Sequence, residues 1–355
     1  MKNNDYSIKL NNSISDFFHD ALRIIVKKPA MMEFVLQSIY FQKKAAQTRM
    51  EYEKQELKVP PYMIISITNR CNLACKGCYS KAQHRPVEKE MSCDRLQSVI
   101  LEAKGLGISF IFLAGGEPLM RPDILDITNE NPEIIFPLFT NGILITDEII
   151  TRLRNQRNVV PIISMEGYET DTNERRGSGV YEHLQKTIKK LKHSGIFFGY
   201  SFTVTRKNFD TLTDEAFINK LLASGCQLFF FVEYIPVKEA TEDLVILEEQ
   251  RIALAQILDS FRAKFPGLFV SFPGDEKDYG GCLSAGRGFI HVSAEGDVEP
   301  CPFAPYSDVN IREVSLKEAL QSELMKKIRQ NHTGLNEPKG GCALWNKREW
   351  VKSLL

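Results

Sequence analysis

Residues 63–78 read Met-Ile-Ile-Ser-Ile-Thr-Asn-Arg-Cys-Asn-Leu-Ala-Cys-Lys-Gly-Cys. The short apolar run Met63–Ile67, closed by polar residues, has the length and composition of a buried strand. Cys71, Cys75 and Cys78 follow on the loop directly behind it. Working outward, the same pattern recurs. Candidate strands at 110–113, 134–139, 159–164, 197–204 and 228–234 alternate with helical patterns at 94–103, 147–154, 182–192 and 214–223. Strand and helix in strict alternation imply parallel βαβ units, hence an α/β fold closing toward a (β/α) barrel. Chemistry in such barrels sits at the C-terminal ends of the strands, and each motif described below falls there.

The flanks differ in pattern. Residues 1–59 read as a helical segment. Ser13 or Ser15 is a candidate cap for a helix whose face includes Phe17, Phe18, Leu22 and Ile25, with Pro29 ending it. A second helix from Ala30 is apolar at Phe34, Val35 and Ile39, then enters a charged run over 42–58 that reads as a solvated tail. Residues 60–240 carry the barrel pattern. From 241 to 355 a smaller α+β module is expected. It comprises a helix over 248–263, a short strand near 269–272 and a hairpin of 288–292 with 297–301 about the turn Ala294-Glu295-Gly296. Helices at 315–322 and 323–330 follow, then a glycine-rich turn before Cys342.

The 355 residues are 43% apolar and 25% charged, ordinary for a globular chain and enough for a large core. Lys and Arg number 45, as do Asp and Glu. This balance argues against a nucleic-acid partner bound through phosphates. The polar start lacks an apolar signal region, and no apolar run reaches the ~18 residues of a membrane span. These features lead us to expect a cytoplasmic protein with no membrane partner. In that setting eight cysteines are read as metal or redox groups rather than disulfides.

Three thiolates within the eight residues 71–78 can close on one face of a 4Fe–4S cubane. The fourth iron would then be open to a small bidentate ligand. The rival readings are a structural zinc site, which ordinarily takes four protein ligands, and a non-catalytic iron–sulfur electron carrier.

The spacing C-x3-C-x2-C behind a first strand resembles the defining motif of the radical S-adenosylmethionine (SAM) superfamily, and the resemblance covers about 180 residues of barrel in which further motifs match in order. It implies a partial (β/α)6 barrel of the radical SAM type and a 4Fe–4S cluster on Cys71, Cys75 and Cys78. Gly115-Gly116-Glu117 resembles the GGE motif that receives the SAM amino group, with Glu117 as the anion and the glycines allowing close backbone approach. Thr140-Asn141-Gly142 resembles the TNG motif. Ser164-Met165-Glu166-Gly167 resembles a segment whose polar groups reach the SAM ribose, with Glu166 where Asp is more usual. Arg176-Gly177 resembles a pair that sits near the SAM carboxylate. The family often places an aromatic residue or His before the third cysteine. Here Gly77 stands there and Tyr79 follows, so adenine packing must come partly from elsewhere.

Cys282, thirteen residues, Gly296, four residues and Cys301 resemble the opening of the C-terminal SPASM and twitch modules, which carry auxiliary 4Fe–4S clusters. The longer cysteine run of a full SPASM module is missing, and Cys342 alone follows. The resemblance therefore implies a shortened, twitch-like module with one auxiliary cluster on Cys282, Cys301 and Cys342. Its open iron is left to substrate, to water, to His291 or to an acidic side chain. Structural thiols or zinc are the alternative.

The family's chemistry is reductive cleavage of SAM to a 5′-deoxyadenosyl radical that abstracts hydrogen from substrate. It implies a flavodoxin- or ferredoxin-type reductant and an anaerobic cell. Related proteins act on peptides or on small-molecule cofactor precursors, and the reading leaves both open. Glu233, Tyr234, Asp275 and Glu276 are candidate acids or bases near strand ends.

Overall fold

The computed structural model describes residues 5–25, 29–274, 279–335 and 341–355. Its strands are β1 (Tyr62–Thr68), β2 (Phe110–Gly115), β3 (Phe136–Thr140), β4 (Val159–Ser164), β5 (Gly199–Val204), β6 (Leu228–Glu233), β7 (Leu268–Phe272), β8 (Phe289–Val292) and β9 (Val298–Glu299). They form one nine-stranded sheet in the order β7-β6-β5-β4-β3-β2-β1-β8-β9. Pairing is parallel throughout except between β8 and β9.

Register assigns the two faces. Ile65, Ile67, Ile111, Leu113, Leu138, Ile163, Phe202, Phe229 and Phe231 point outward and are buried with helix residues such as Leu96, Ile100, Leu184 and Leu221. The alternate residues face the concave side. There Ile64, Phe112, Ala114, Phe139, Ser164, Thr203, Val232 and Val270 are only half-buried, so the inside of the sheet is reachable by solvent. An edge-to-face and stacked aromatic group, Phe112, Phe139, Phe230 and Phe272, lines this side at centroid separations of 5.3–6.4 Å.

Helices α1 (Asp5–Ile25) and α2 (Pro29–Lys54) cover the other end of the concave face. Ile14, Phe18, Met31 and Val35 join Phe110, Ile135, Val160, Leu228 and Leu268, which lie at or near the N-terminal strand ends, in one apolar cluster. The segment is helical as expected, with three differences. Ser13 does not cap α1: it lies within it, donating to the Lys9 carbonyl at 3.1 Å, because the helix begins a full two turns earlier. Pro29 opens α2, where its missing N–H is harmless. The charged run is not wholly solvated. Gln42 and Arg49 lie one heptad apart and turn inward. Gln42 accepts from Ser109 Oγ at 2.6 Å, and Arg49, 6% exposed, donates to the Gly107 carbonyl at 2.5 Å and to Asn11 Oδ1 at 2.6 Å.

The hairpin forms as β8 and β9, but β8 also pairs with β1, Tyr62 opposite Phe289. The segment near 269–272 likewise joins the barrel sheet as β7, with Leu268 opposite Leu228. Both additions cover strand edges whose backbone groups would otherwise be unpaired.

Candidate functional site

The loop after β1 is held by backbone contact with the end of β2. Gly116 N donates to the Thr68 carbonyl and Glu117 N to the Arg70 carbonyl, each at 2.7 Å. A Cβ at Gly115 would stand 2.4 Å from the Thr68 oxygen, and one at Gly116 would stand 2.0 Å from the Arg70 oxygen. These glycines therefore admit the cysteine loop itself. Between Cys75 and Cys78, Gly77 has φ +67°, and a Cβ there would meet the Tyr234 hydroxyl at 2.5 Å. Tyr234, from the end of β6, fills that space, and its hydroxyl donates to Thr241 Oγ1 at 2.8 Å. Lys76 N donates to the Arg175 carbonyl at 2.8 Å, tying the loop to the helix Glu169–Arg176.

The three thiols share one neighbourhood. Burial pushes the Cys71 thiol above its ordinary value, and the charges of Glu117, Cys75 and Cys78 add to the shift. Leu73 N approaches Cys71 Sγ at 3.5 Å and Asn141 Nδ2 at 4.0 Å, while Arg176 Nη1 stands 4.0 Å from Cys75 Sγ.

The other expected contacts surround this loop. Glu117 is 1% exposed and accepts from Thr140 Oγ1 at 2.7 Å, Asn141 N at 2.7 Å and Leu119 N at 3.1 Å. Burial raises its carboxyl above the usual range, and those hydrogen bonds pull it back only in part. Asn141 Nδ2 donates to Asn72 Oδ1 at 2.7 Å. Ser164 ends β4 on the concave face. Glu166 is engaged differently from the ribose contact expected of it. Its Oε1 accepts from Arg175 Nη1 at 2.6 Å and from Arg176 Nε at 2.9 Å, and its Oε2 accepts from Thr203 N at 3.2 Å. For Arg176, burial works against the charge, but Glu166 and then Cys75 outweigh it and hold its pKa above the ordinary guanidinium value.

Cys282, Cys301 and Cys342 also converge. Burial pushes the Cys301 thiol well up, with further contributions from Cys342 and Cys282. Gly296 has φ +95° at the hairpin turn, as its position required. Tyr79 lies between the two cysteine sets. Its phenol is pushed up by burial and then by the charges of Cys78, Cys301 and Glu299, and its ring meets that of Phe303 edge-on at 5.3 Å. His291 is not free to complete the second set. Its Nδ1 lies 2.7 Å from Glu299 Oε2 and its Nε2 lies 2.8 Å from Ser66 Oγ, all three side chains being buried. Because a carboxylate only accepts, Nδ1 carries the proton in this pair.

Both trios suit an iron–sulfur cluster. A cubane spreads its ligands over separate irons. Ser284 Oγ, two residues past Cys282, is buried without a hydrogen-bond partner, a donor that a cluster sulfide would satisfy.

Of the candidate acids and bases, Glu233 is held by Arg251 Nε at 2.9 Å, and Tyr234 serves the cysteine loop. Asp275 and Glu276 lie outside the described residues. Sequence reading missed Tyr234 as the partner of Gly77, Arg175 in the Glu166 clamp, and Arg85, which bridges Glu295 and Glu299 of the hairpin. None carries a local motif. In the sequence only the departure at Gly77, where the family often has an aromatic residue or His, marks the place that Tyr234 fills.

A parallel barrel sheet with a cysteine trio behind its first strand, a GGE turn behind its second and a second trio on the added hairpin defines the radical SAM class of iron–sulfur enzymes. The chain belongs to the radical SAM superfamily: the family model of that name matches residues 65–218, and a model described as an iron–sulfur cluster-binding domain matches 282–343. A 4Fe–4S cluster, SAM and further iron–sulfur ligation go with this membership. The chain is 30% identical to the AdoMet-dependent heme synthase of Methanosarcina barkeri over 312 residues, 80% of this chain and 88% of that one. It is 25% identical to the mycofactocin maturase MftC of Mycolicibacterium smegmatis, covering 83% of this chain and 77% of that one. In fold it resembles Streptococcus suis SuiB, solved bound to the precursor peptide SuiA, with TM-score 0.66 and 18% identity over 85% of this chain and 73% of that one. No helix among the described residues is long and apolar enough to cross a membrane.

Proposed function

We propose that Cys71, Cys75 and Cys78 hold the SAM-cleaving 4Fe–4S cluster, that Cys282, Cys301 and Cys342 hold one auxiliary cluster, and that the substrate is a peptide or a small cofactor precursor bound on the concave face. The observation that supports this reading is that each cysteine trio is gathered within electrostatic reach of its own members, with Tyr79 close to both. Held by Cys71, Cys75 and Cys78, a cluster would supply the single electron for reductive SAM cleavage and so the means to abstract hydrogen from substrate.

The protein's own groups bind and orient. Glu117 receives the SAM ammonium, Asn141 and Ser164 offer polar contacts along the strand ends, and Gly115 and Gly116 keep the cysteine loop seated on β2. Arg176, fixed by Glu166 beside Cys75, would be available to the SAM carboxylate. Tyr79 packs between the two centres. The aromatic wall of Phe112, Phe139, Phe230 and Phe272 favours a substrate with a flat apolar group and shields the reacting carbon from water. Relatives named a heme synthase and a peptide-cofactor maturase support the two substrate classes, the former at the higher identity. A flavodoxin- or ferredoxin-type protein is the proposed electron donor. Residues 241–355 act as the auxiliary-cluster module, 60–240 as the catalytic core and 1–59 as the cover of its far end.

Anaerobic reconstitution tests this reading, with iron per chain and dithionite-dependent formation of 5′-deoxyadenosine from SAM as readouts. About eight irons are expected. Cys71→Ala should abolish 5′-deoxyadenosine. Cys282→Ala should remove about four irons and keep it. About four irons in the parent would sink the auxiliary assignment, and no 5′-deoxyadenosine from a folded, iron-loaded protein would sink the whole reading.

A further inference from the structure

The group beside Cys75 is more than a ligand contact. Two guanidinium groups, Arg175 and Arg176, share the single carboxylate of Glu166, which is 1% exposed. Arg175 Nε is buried without a hydrogen-bond partner. The clamp is locked to the cysteine loop by the 2.8 Å bond from Lys76 N to the Arg175 carbonyl, and to β5 by Thr203 N on Glu166 Oε2 at 3.2 Å. Arg176 Nη1 is thereby fixed 4.0 Å from Cys75 Sγ with Glu166 on its far side. Arg176 therefore presents its positive charge at a cysteine of the first trio. Glu117 also faces this guanidinium and, when ionised, adds a second negative charge there, held in place by Thr140, Leu119 and Asn141 and left unchanged in both test variants.

We propose that the Glu166–Arg175–Arg176 clamp sets the reduction potential of the cluster on Cys71, Cys75 and Cys78, with Arg176 raising it by charge and by an N–H···S contact to Cys75. The inference rests on the assignment of that cluster to the first trio. Reduction adds one electron to the cluster, breaks no bond and draws on an external one-electron donor. A cation close to a ligating sulfur in a poorly solvated site stabilises the more negative, reduced form. Glu166 acts in the opposite sense on charge and holds Arg176 in place, so it is a positioning residue whose removal unmasks positive charge.

The test is a potentiometric titration of the reconstituted full chain without SAM, followed by electron paramagnetic resonance. The signal to follow is the one that changes when SAM is added. Arg176→Gln should move its midpoint to lower potential and reduce the fraction reduced by a fixed amount of dithionite. Glu166→Gln should move it to higher potential, and Arg176→Lys should lie near the parent. Opposite signs are the mark of a charge effect, since a merely structural defect would shift both variants alike or broaden both. The proposal is overturned if the glutamine variants shift in the same direction. It is also overturned if Arg176→Gln keeps the parent midpoint while weakening SAM binding in equilibrium dialysis, which would make Arg176 a SAM contact alone. Should Arg176→Gln fail to fold, Glu166→Gln decides by its sign. A parent protein with no SAM-responsive signal would instead remove the cluster assignment on which the inference rests.

Discussion

At the scale of single residues, the site depends on two buried features, a carboxylate and a glycine contact. Glu117 must be anionic to receive an ammonium group, yet burial raises its carboxyl above the usual range. Its negative form is lost as pH falls through that raised range. SAM affinity should therefore drop on acidification at a pH where an ordinary Glu, with pKa about 4.3, would still be fully ionised. Equilibrium dialysis of the reconstituted protein at successively lower pH, starting below the range in which the SAM amine itself titrates, would show the slope, and Glu117→Gln should bind weakly with no slope. A flat parent profile would count against Glu117 as the ammonium ligand. The glycine contact gives a steric prediction. Gly116→Ala forces a Cβ to 2.0 Å from a backbone oxygen of the cysteine loop, an atom that cannot rotate away. Iron at the first trio should fall while far-ultraviolet circular dichroism stays near that of the parent. Full iron loading would mean that the loop is not seated by this contact.

At the scale of elements, α2 serves as a buttress for the core. Arg49 satisfies the carbonyl of Gly107, the αL residue that ends the helix Cys93–Leu106, and also ties α2 to Asn11 of α1. Arg49→Ala strands a buried carbonyl and should lower stability by about 1.5–3 kcal/mol, read as a lower urea midpoint with cluster content unchanged. An unchanged midpoint would return the run to the solvated tail that its composition implies. The contrast shows what the sequence discloses. The barrel strands are legible because both of their faces are covered at some point along their length, so they read as short apolar runs, and the cysteine motifs are legible because their ligands are close in sequence. Gln42 and Arg49 are not, because nothing local announces the Ser109 and Gly107 groups that await them. The same holds for Gly77 and Tyr234, whose fit is made by the return of β6, and for β8. Its hairpin is evident from Gly296, but its pairing with β1 depends on which edge the barrel leaves open.

At the scale of the whole molecule, Arg85 joins the two cluster regions. It lies seven residues past Cys78 and reaches the hairpin, with Nη1 3.1 Å from Glu295 Oε2 and Nη2 on Glu299. Glu299 passes the contact to His291 at 2.7 Å, and His291 to Ser66 of β1 at 2.8 Å. Asn69 Nδ2 reaches Glu295 Oε1 at 2.7 Å, so the network leaves the cysteine loop, crosses the hairpin and returns to the strand from which the loop springs. Removing one partner of a buried ion pair leaves the other charge stranded, at about 3–5 kcal/mol. Arg85→Met should therefore lower the urea midpoint and reduce iron retention at both trios. Arg85→Lys should recover only part of this, since a single ammonium cannot span two carboxylates as the guanidinium fork does. The double variant Arg85→Met/Glu299→Gln identifies the cause. If stranded charge dominates, neutralising Glu299 restores much of the stability lost in Arg85→Met, and the two substitutions are strongly non-additive. Were the double variant no more stable than Arg85→Met, the loss would lie in packing, and the two cluster regions would be joined by the sheet between β1 and β8 rather than by this chain of charges.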